Sequence, residues 1–231
     1  MGPPRSALAG LAALLLCAQP GLAHEPLDED LWLWMPVNLE LALSEDLLAA
    51  SIQFQPRFDE DISMLEELRV RGSLGLHLVP DVLSVWAGYL WAPGFDPRYD
   101  PEHRALEQVQ LRGELGPIEL RARVRAEQRF FEGPDPVAHR VRTRFQVVFP
   151  LGPEWLKGTV WDEVFVNLNR VEQAGISKGV GENRLFGGLL VSPAEWLTIQ
   201  VGYLNRLQPR EEGPDTMDHV LFLGLTFKLG G

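Results

Sequence analysis

The stretch IELRARVRAEQRF (118–130) decides the fold. Glu119, Arg121, Arg123, Arg125, Glu127 and Arg129 take every second position, and Ile118, Leu120, Ala122, Val124 and Ala126 fill the places between. Wound as a helix, the segment would spread arginine round the whole cylinder and leave no apolar stripe to bury. Extended, it has two faces of opposite character, because successive side chains of a strand point to opposite sides. The same alternation runs through the neighbouring sequence. In AASIQFQPRF (49–58), Ser51, Gln53, Gln55 and Arg57 oppose Ile52, Phe54, Pro56 and Phe58. In ELRVRGSLGLHL (67–78), Arg69, Arg71, Ser73 and His77 oppose Leu68, Val70, Leu74, Leu76 and Leu78.

Eleven candidate strands follow, at about 31–43, 47–58, 64–78, 82–92, 105–115, 118–130, 138–149, 156–169, 182–191, 197–207 and 218–229. Strands of soluble domains typically have about five or six residues. A tilted strand crossing a bilayer needs about 9–11, which most of these reach. The links alternate between short (44–46, 79–81, 116–117, 151–155, 192–196) and long (59–63, 93–104, 131–137, 170–181, 208–217). That alternation is the outer-membrane arrangement of short periplasmic turns and longer outer loops. The long links hold the acid, including Asp59, Glu60, Asp61, Asp96, Asp100, Glu102, Glu132, Asp135, Glu172, Glu211, Glu212 and Asp215.

The ends of the chain agree with export. Arg5 precedes an apolar run from Ala7 to Ala18, and Gly21 and Ala23 supply small residues before a cleavage point at Ala23–His24. Residues 1–23 therefore read as a cleaved signal peptide and 24–231 as a single barrel domain. The run is too short for a spanning helix. The single cysteine, Cys17, lies inside it, so no disulfide is expected in the mature chain. The formal net charge of -11 disfavours nucleic acid as a partner.

Alternation alone does not say which face is inside. Aromatics near strand ends point to a bilayer: Trp32, Trp34, Tyr89, Trp91, Trp155, Trp196 and Tyr203 read as interface residues. The two short turns PEWL (153–156) and AEWL (194–197) repeat the pattern. The tail LFLGLTFKL (221–229) keeps Leu221, Leu223, Leu225, Phe227 and Leu229 on one face. Its Gly224, Phe227 and Leu229 resemble the C-terminal signal read by the outer-membrane assembly machinery. The expected fold is all-β: a closed antiparallel up-and-down transmembrane β-barrel, since strands in lipid must pair on both edges. Single-chain bacterial barrels usually have an even strand number. Ten to twelve strands are therefore expected, with twelve preferred and the extra one sought in Glu25–Trp34.

WDEVFVNLNR (161–170), GENRLFGGL (181–189), VGYLNR (201–206), the closing LFLGLTFKL and the opening LWLWMPVNLELALSEDLLAASIQFQPRF (31–58) together resemble domain-of-unknown-function family 2490. The resemblance implies an outer-membrane β-barrel, with outer-membrane lipids, lipopolysaccharide and the assembly machinery as partners. It implies no substrate.

The candidate functional feature is an arginine ladder. Arg121, Arg123 and Arg125 share a face with Arg140, Arg142 and Arg144, and Arg112 lies on the preceding strand. Like charges stacked across strands about 4.8 Å apart need anions. Glu114, Glu119, Glu127 and Glu163 are the internal candidates, which gives a salt-bridge network filling a narrow lumen. An anion-selective pore is the alternative, because rings of arginine select anions. Asp162, out of phase with Glu163, is expected near an interface or at a bulge. A lipid-modifying enzyme is the third class, but no G-x-S-x-G occurs, and no serine, histidine and acid fall at a spacing that implies a site. His103 is expected to be solvated in its acidic link, and neither cofactor nor metal is expected, because no pair of histidines has ligand spacing.

Overall fold

The computed structural model describes residues 27–44, 47–59, 61–93, 95, 101–131, 137–211 and 213–230. The expected leader, its cleavage point and Cys17 lie outside them. Twelve strand segments form one sheet: β1 (Asp28–Trp34), β2 (Val37–Ala42), β3 (Leu48–Asp59), β4 (Met64–Val79), β5 (Leu83–Ala92), β6 (Glu102–Leu115), β7 (Ile118–Phe131), β8 (Ala138–Pro150), β9 (Leu156–Asn167), β10 (Gly179–Ala194), β11 (Leu197–Gln208) and β12 (Thr216–Leu229). Each pairs antiparallel with the next from β2 to β12. No helix among the described residues is long and apolar enough to cross a membrane.

The sheet closes through its first segments. β1 and β2 both pair with β12 in parallel and with β3 antiparallel. One register runs through both halves, from Asp28↔Thr216 to Leu41↔Leu229. They are therefore a single span interrupted at Met35–Pro36, where proline has no N–H to give the ladder. The break is bridged from the neighbours: Leu225 donates its backbone N–H to the Pro36 carbonyl at 2.8 Å, and Met35 donates to Pro56 at 3.1 Å. This makes an eleven-span closed barrel, within the ten to twelve strands expected though not the preferred twelve, and antiparallel except for one parallel seam. An odd number of spans also puts the two ends at opposite rims. Asp28 begins at the rim of the long links and Leu229 ends at the rim of the short turns.

The two faces are inverted relative to a soluble barrel. Leu74, Val109, Val124, Phe145, Leu185, Val201 and Leu221 stand exposed on the outside. Arg57, Glu102, Arg104, Arg125, Glu127, Arg140, Arg142, Glu163, Glu182, Arg184 and Asp218 are buried on the opposite, inward face. The outer face is not wholly apolar. Glu107 is exposed near the middle of β6, opposite Ala87 and Ala126. Asp162 faces out from the middle of a regular stretch of β9, away from the bulge at Val180/Glu182, so the bulge offered as one place for it is not found. Asn183 satisfies it instead, donating a 2.9 Å hydrogen bond. His103 is not a loop residue either. It sits on β6 and shares a hydrogen bond with Tyr89, as His219 does with Tyr203.

Candidate functional site: the barrel interior

Arginines and carboxylates line the inward faces of β3, β4, β6, β7 and β8, and strand pairing sets the rows against each other. Arg123 lies opposite Arg144, Arg125 opposite Arg142 and Glu127 opposite Arg140. Two glutamates bind this array together. Glu127 accepts from Arg140 at 3.0 Å and Arg142 at 2.8 Å, and Arg125 approaches it at 3.6 Å. Glu163 accepts from Arg142 at 3.1 Å and from Arg123. Both carboxylates are almost fully buried, where an unpaired charge would be costly. At the short-turn rim, Glu119 holds Arg112 at 2.9 Å and Arg121 at 2.6 Å. Glu114 is exposed and makes no ion pair among the described residues.

The network reaches beyond the ladder read from the sequence. Glu102 binds Arg104 at 2.8 Å and Arg129 at 3.1 Å, Glu67 binds Arg57 at 3.3 Å and Arg69 at 2.8 Å, and Asp218 binds Arg206 at 2.7 Å. Glu182 pairs with Arg184 and Arg206. Glu102 and Asp59, read above as link acids, are instead buried strand residues. The period-two signal for these partners was present, but a single strand does not show which partner lies across the lumen.

Aromatic rings separate the guanidinium groups. Arg57 lies 3.7 Å and Arg184 4.6 Å from the Trp34 ring centroid. Arg142 lies 4.3 Å and Arg184 4.5 Å from that of Phe165. Trp32 and Trp34 are thus lumen residues and not interface aromatics. Their parity with Asn38 and Glu40 on the same span carried that signal. They pack with Trp161, Phe186, Leu204 and Val220 into an apolar cluster inside the barrel. The Phe186 ring lies against the inner wall, stacked on Trp161 at 5.1 Å. Gly188 and Gly202, paired across β10 and β11, make room for it: a Cβ at either would come within 2.6 Å of the ring or nearer. Above the charged half, the β9–β10 link folds Val171 and Ile176 onto Ala138 and Phe131.

The other candidate residues are distributed as follows. Trp91, Trp155 and Trp196 are exposed on the outer side, the latter two in short turns. Tyr203 is also outside, but halfway along β11 and not at a strand end. Phe227 faces out, stacked on Trp196 at 6.2 Å. Leu229 is exposed at the end of β12, while Gly224 is buried on the inner side.

Below the ion-paired half lies a cavity of about 730 Å³ that reaches the short-turn rim at Glu154, Leu229 and Gly230. Arg71, Arg123, Arg125 and Arg144 line its inner end. Here amides stand where the other half has carboxylates. Gln108 accepts from Arg125 at 2.8 Å, and Gln146 accepts from Arg144 at 3.3 Å. Arg71 makes no ion pair among the described residues, and its Nε is buried without a hydrogen-bond partner, as is that of Arg123.

Fold and interior define a closed β-barrel turned inside out in polarity, with charge packed within and hydrocarbon presented without. The chain belongs to the family described as Protein of unknown function (DUF2490), whose model matches residues 32–218. It is similar to an uncharacterised protein of Methylorubrum extorquens (strain AM1), 29% identical over 220 residues that cover 93% of this chain and 95% of that one. No solved structure matches it.

Proposed function

We propose that this protein is an outer-membrane β-barrel, exported through the periplasm, whose lumen is plugged and not an open diffusion pore. One observation carries the membrane reading: the inversion of the two faces. A row of exposed Leu, Val and Phe round a closed barrel is costly in water and favourable against acyl chains. The ionised side chains, conversely, are taken up by one another inside. Trp155 and Trp196 at one rim and Trp91 toward the other suit the two interfaces. Outer-membrane lipid and lipopolysaccharide are then its surroundings, and the assembly machinery reads Phe227 and Leu229 on the outer face of its last strand.

The plug follows from packing in the half nearer the long links. Trp34, Phe165, Arg184, Glu127 and Glu163 fill the cross-section there, and a through-channel would have to displace buried ion pairs. The test is refolding the chain in detergent and lipid vesicles. A folded barrel migrates differently on a gel before and after boiling, inserts into vesicles and leaves a planar bilayer electrically silent. Folding in buffer without detergent sinks the membrane reading. Steady anion current from the unmodified chain sinks the plug and restores the anion-selective pore.

A further inference from the structure

We infer that the chamber opening at the short-turn rim is a binding site for a small, multiply charged oxyanion, carrying phosphate or carboxylate groups. Among the described residues, the chamber is lined by six arginines and two lysines against three carboxylates, Glu40, Asp81 and Glu154. Glu119 neutralises Arg112 and Arg121 near the mouth, and Glu163 holds Arg123 from behind the inner end. Among the described residues Arg71 and Arg144 have no ion-pair partner, and Arg125 has Glu127 only at 3.6 Å.

The amides make this arrangement specific. A glutamate at 108 or 146 would orient its arginine and cancel its charge, as Glu127 and Glu163 do a few residues away. Glutamine orients the guanidinium through the same carbonyl-type oxygen and leaves the charge intact. The sequence thus holds Arg125 and Arg144 in fixed poses while keeping them cationic. Arg71 and Arg123 line the same inner end. A planar or tetrahedral oxyanion can accept from several such forks at once, and low local dielectric strengthens each contact. The size suits a small solute, since ligand pockets typically span about 300–1,000 Å³. Because the inner end of the chamber abuts the ion-paired plug, the site is blind, and the ligand enters and leaves by the short-turn rim.

The inference needs only the closed barrel and its filled half, so it can fail while the membrane reading stands. The experiment is calorimetric titration of the full chain, refolded in nonionic detergent at low ionic strength, with pyrophosphate and, separately, citrate. Gel mobility before boiling certifies the fold of every sample. Saturable one-site binding of either probe is expected, and the stronger of the two reports whether phosphate or carboxylate is preferred. Arg144→Gln and Arg71→Gln should each weaken it about tenfold or more, the usual scale for a charged hydrogen bond. Gln108→Glu with Gln146→Glu should abolish binding while raising the unfolding temperature, which a purely structural role for the arginines would not couple. No saturable binding of either probe by a folded sample overturns the proposal. So does binding that the arginine and glutamine variants all leave unchanged.

Discussion

Arg57 lies over the indole of Trp34, its guanidinium carbon 3.7 Å from the ring centroid, and both side chains are almost completely buried. The pair joins the first span to β3 across the point where Pro36 interrupts the ladder. Trp34→Ala should lower the stability of the lipid-folded barrel by about 3–5 kcal/mol, as for other buried tryptophans. The measurement is the urea midpoint in vesicles. The same variant should turn a silent bilayer into a conducting one, because Arg57 and Arg184 lose the ring that spaces them. A silent Trp34→Ala barrel of normal stability would mean that the plug lies elsewhere.

Glu163 and Glu119 separate buried from rim pairing. Glu163→Gln takes from Arg123 its carboxylate partner and from Arg142 one of two, leaving Glu127, and should cost about 3–5 kcal/mol. Glu119→Gln frees two arginines that water already reaches, and should cost about 1 kcal/mol or less. Parallel urea titrations of the two variants check the order, and equal losses would contradict it.

Gly187 and Gly188 are adjacent and should behave oppositely. A Cβ at Gly187 meets nothing within 4 Å, whereas one at Gly188 would sit 2.3 Å from the Val201 carbonyl oxygen and 2.6 Å from the Phe186 ring. Gly188→Ala should destabilise by about 1–3 kcal/mol, the usual cost of overpacking. Gly187→Ala should be close to neutral by thermal unfolding in detergent.

Glu107 tests which solvent the outer face meets. A carboxylate on the lipid side costs less than the roughly 2–4 kcal/mol of a basic residue, but its removal is favourable. Glu107→Leu should raise stability in vesicles by about 1–2 kcal/mol. A variant that loses stability there would indicate that this face meets water or another protein.

An odd number of spans predicts opposite sidedness for the two ends. With Asp28→Cys and Lys228→Cys, a membrane-impermeant maleimide should label the first on intact cells and the second only after the outer membrane is permeabilised. An even-numbered barrel would give the same answer for both.

Period-two alternation made nearly all the spans legible, because a strand with one hydrocarbon face and one charged face can be read locally. It placed 118–130 within a residue of the β7 that forms. Closure was not legible: Asp28 meets Thr216 through a pairing that no local pattern encodes. The same limit applied to the arginines. Parity told which ones point inward, but whether an arginine faces Glu127 or Gln108 depends on strand tilt and register across the lumen. Trp32 and Trp34 show the opposite case, where parity with Asn38 and Glu40 was available and the general preference of tryptophan for interfaces outweighed it.

The parallel seam has a consequence for biogenesis. The first span finds its second neighbour only in Thr216–Leu229, so the wall closes only once that strand is in place. Without Thr216–Leu229 the first span keeps an unpaired edge. The final zippering is also the step with least to gain per residue, since parallel ladders are slightly weaker than antiparallel ones and Pro36 removes a donor from this one. The seam is therefore the weakest line of the wall, where the barrel should open first under strain.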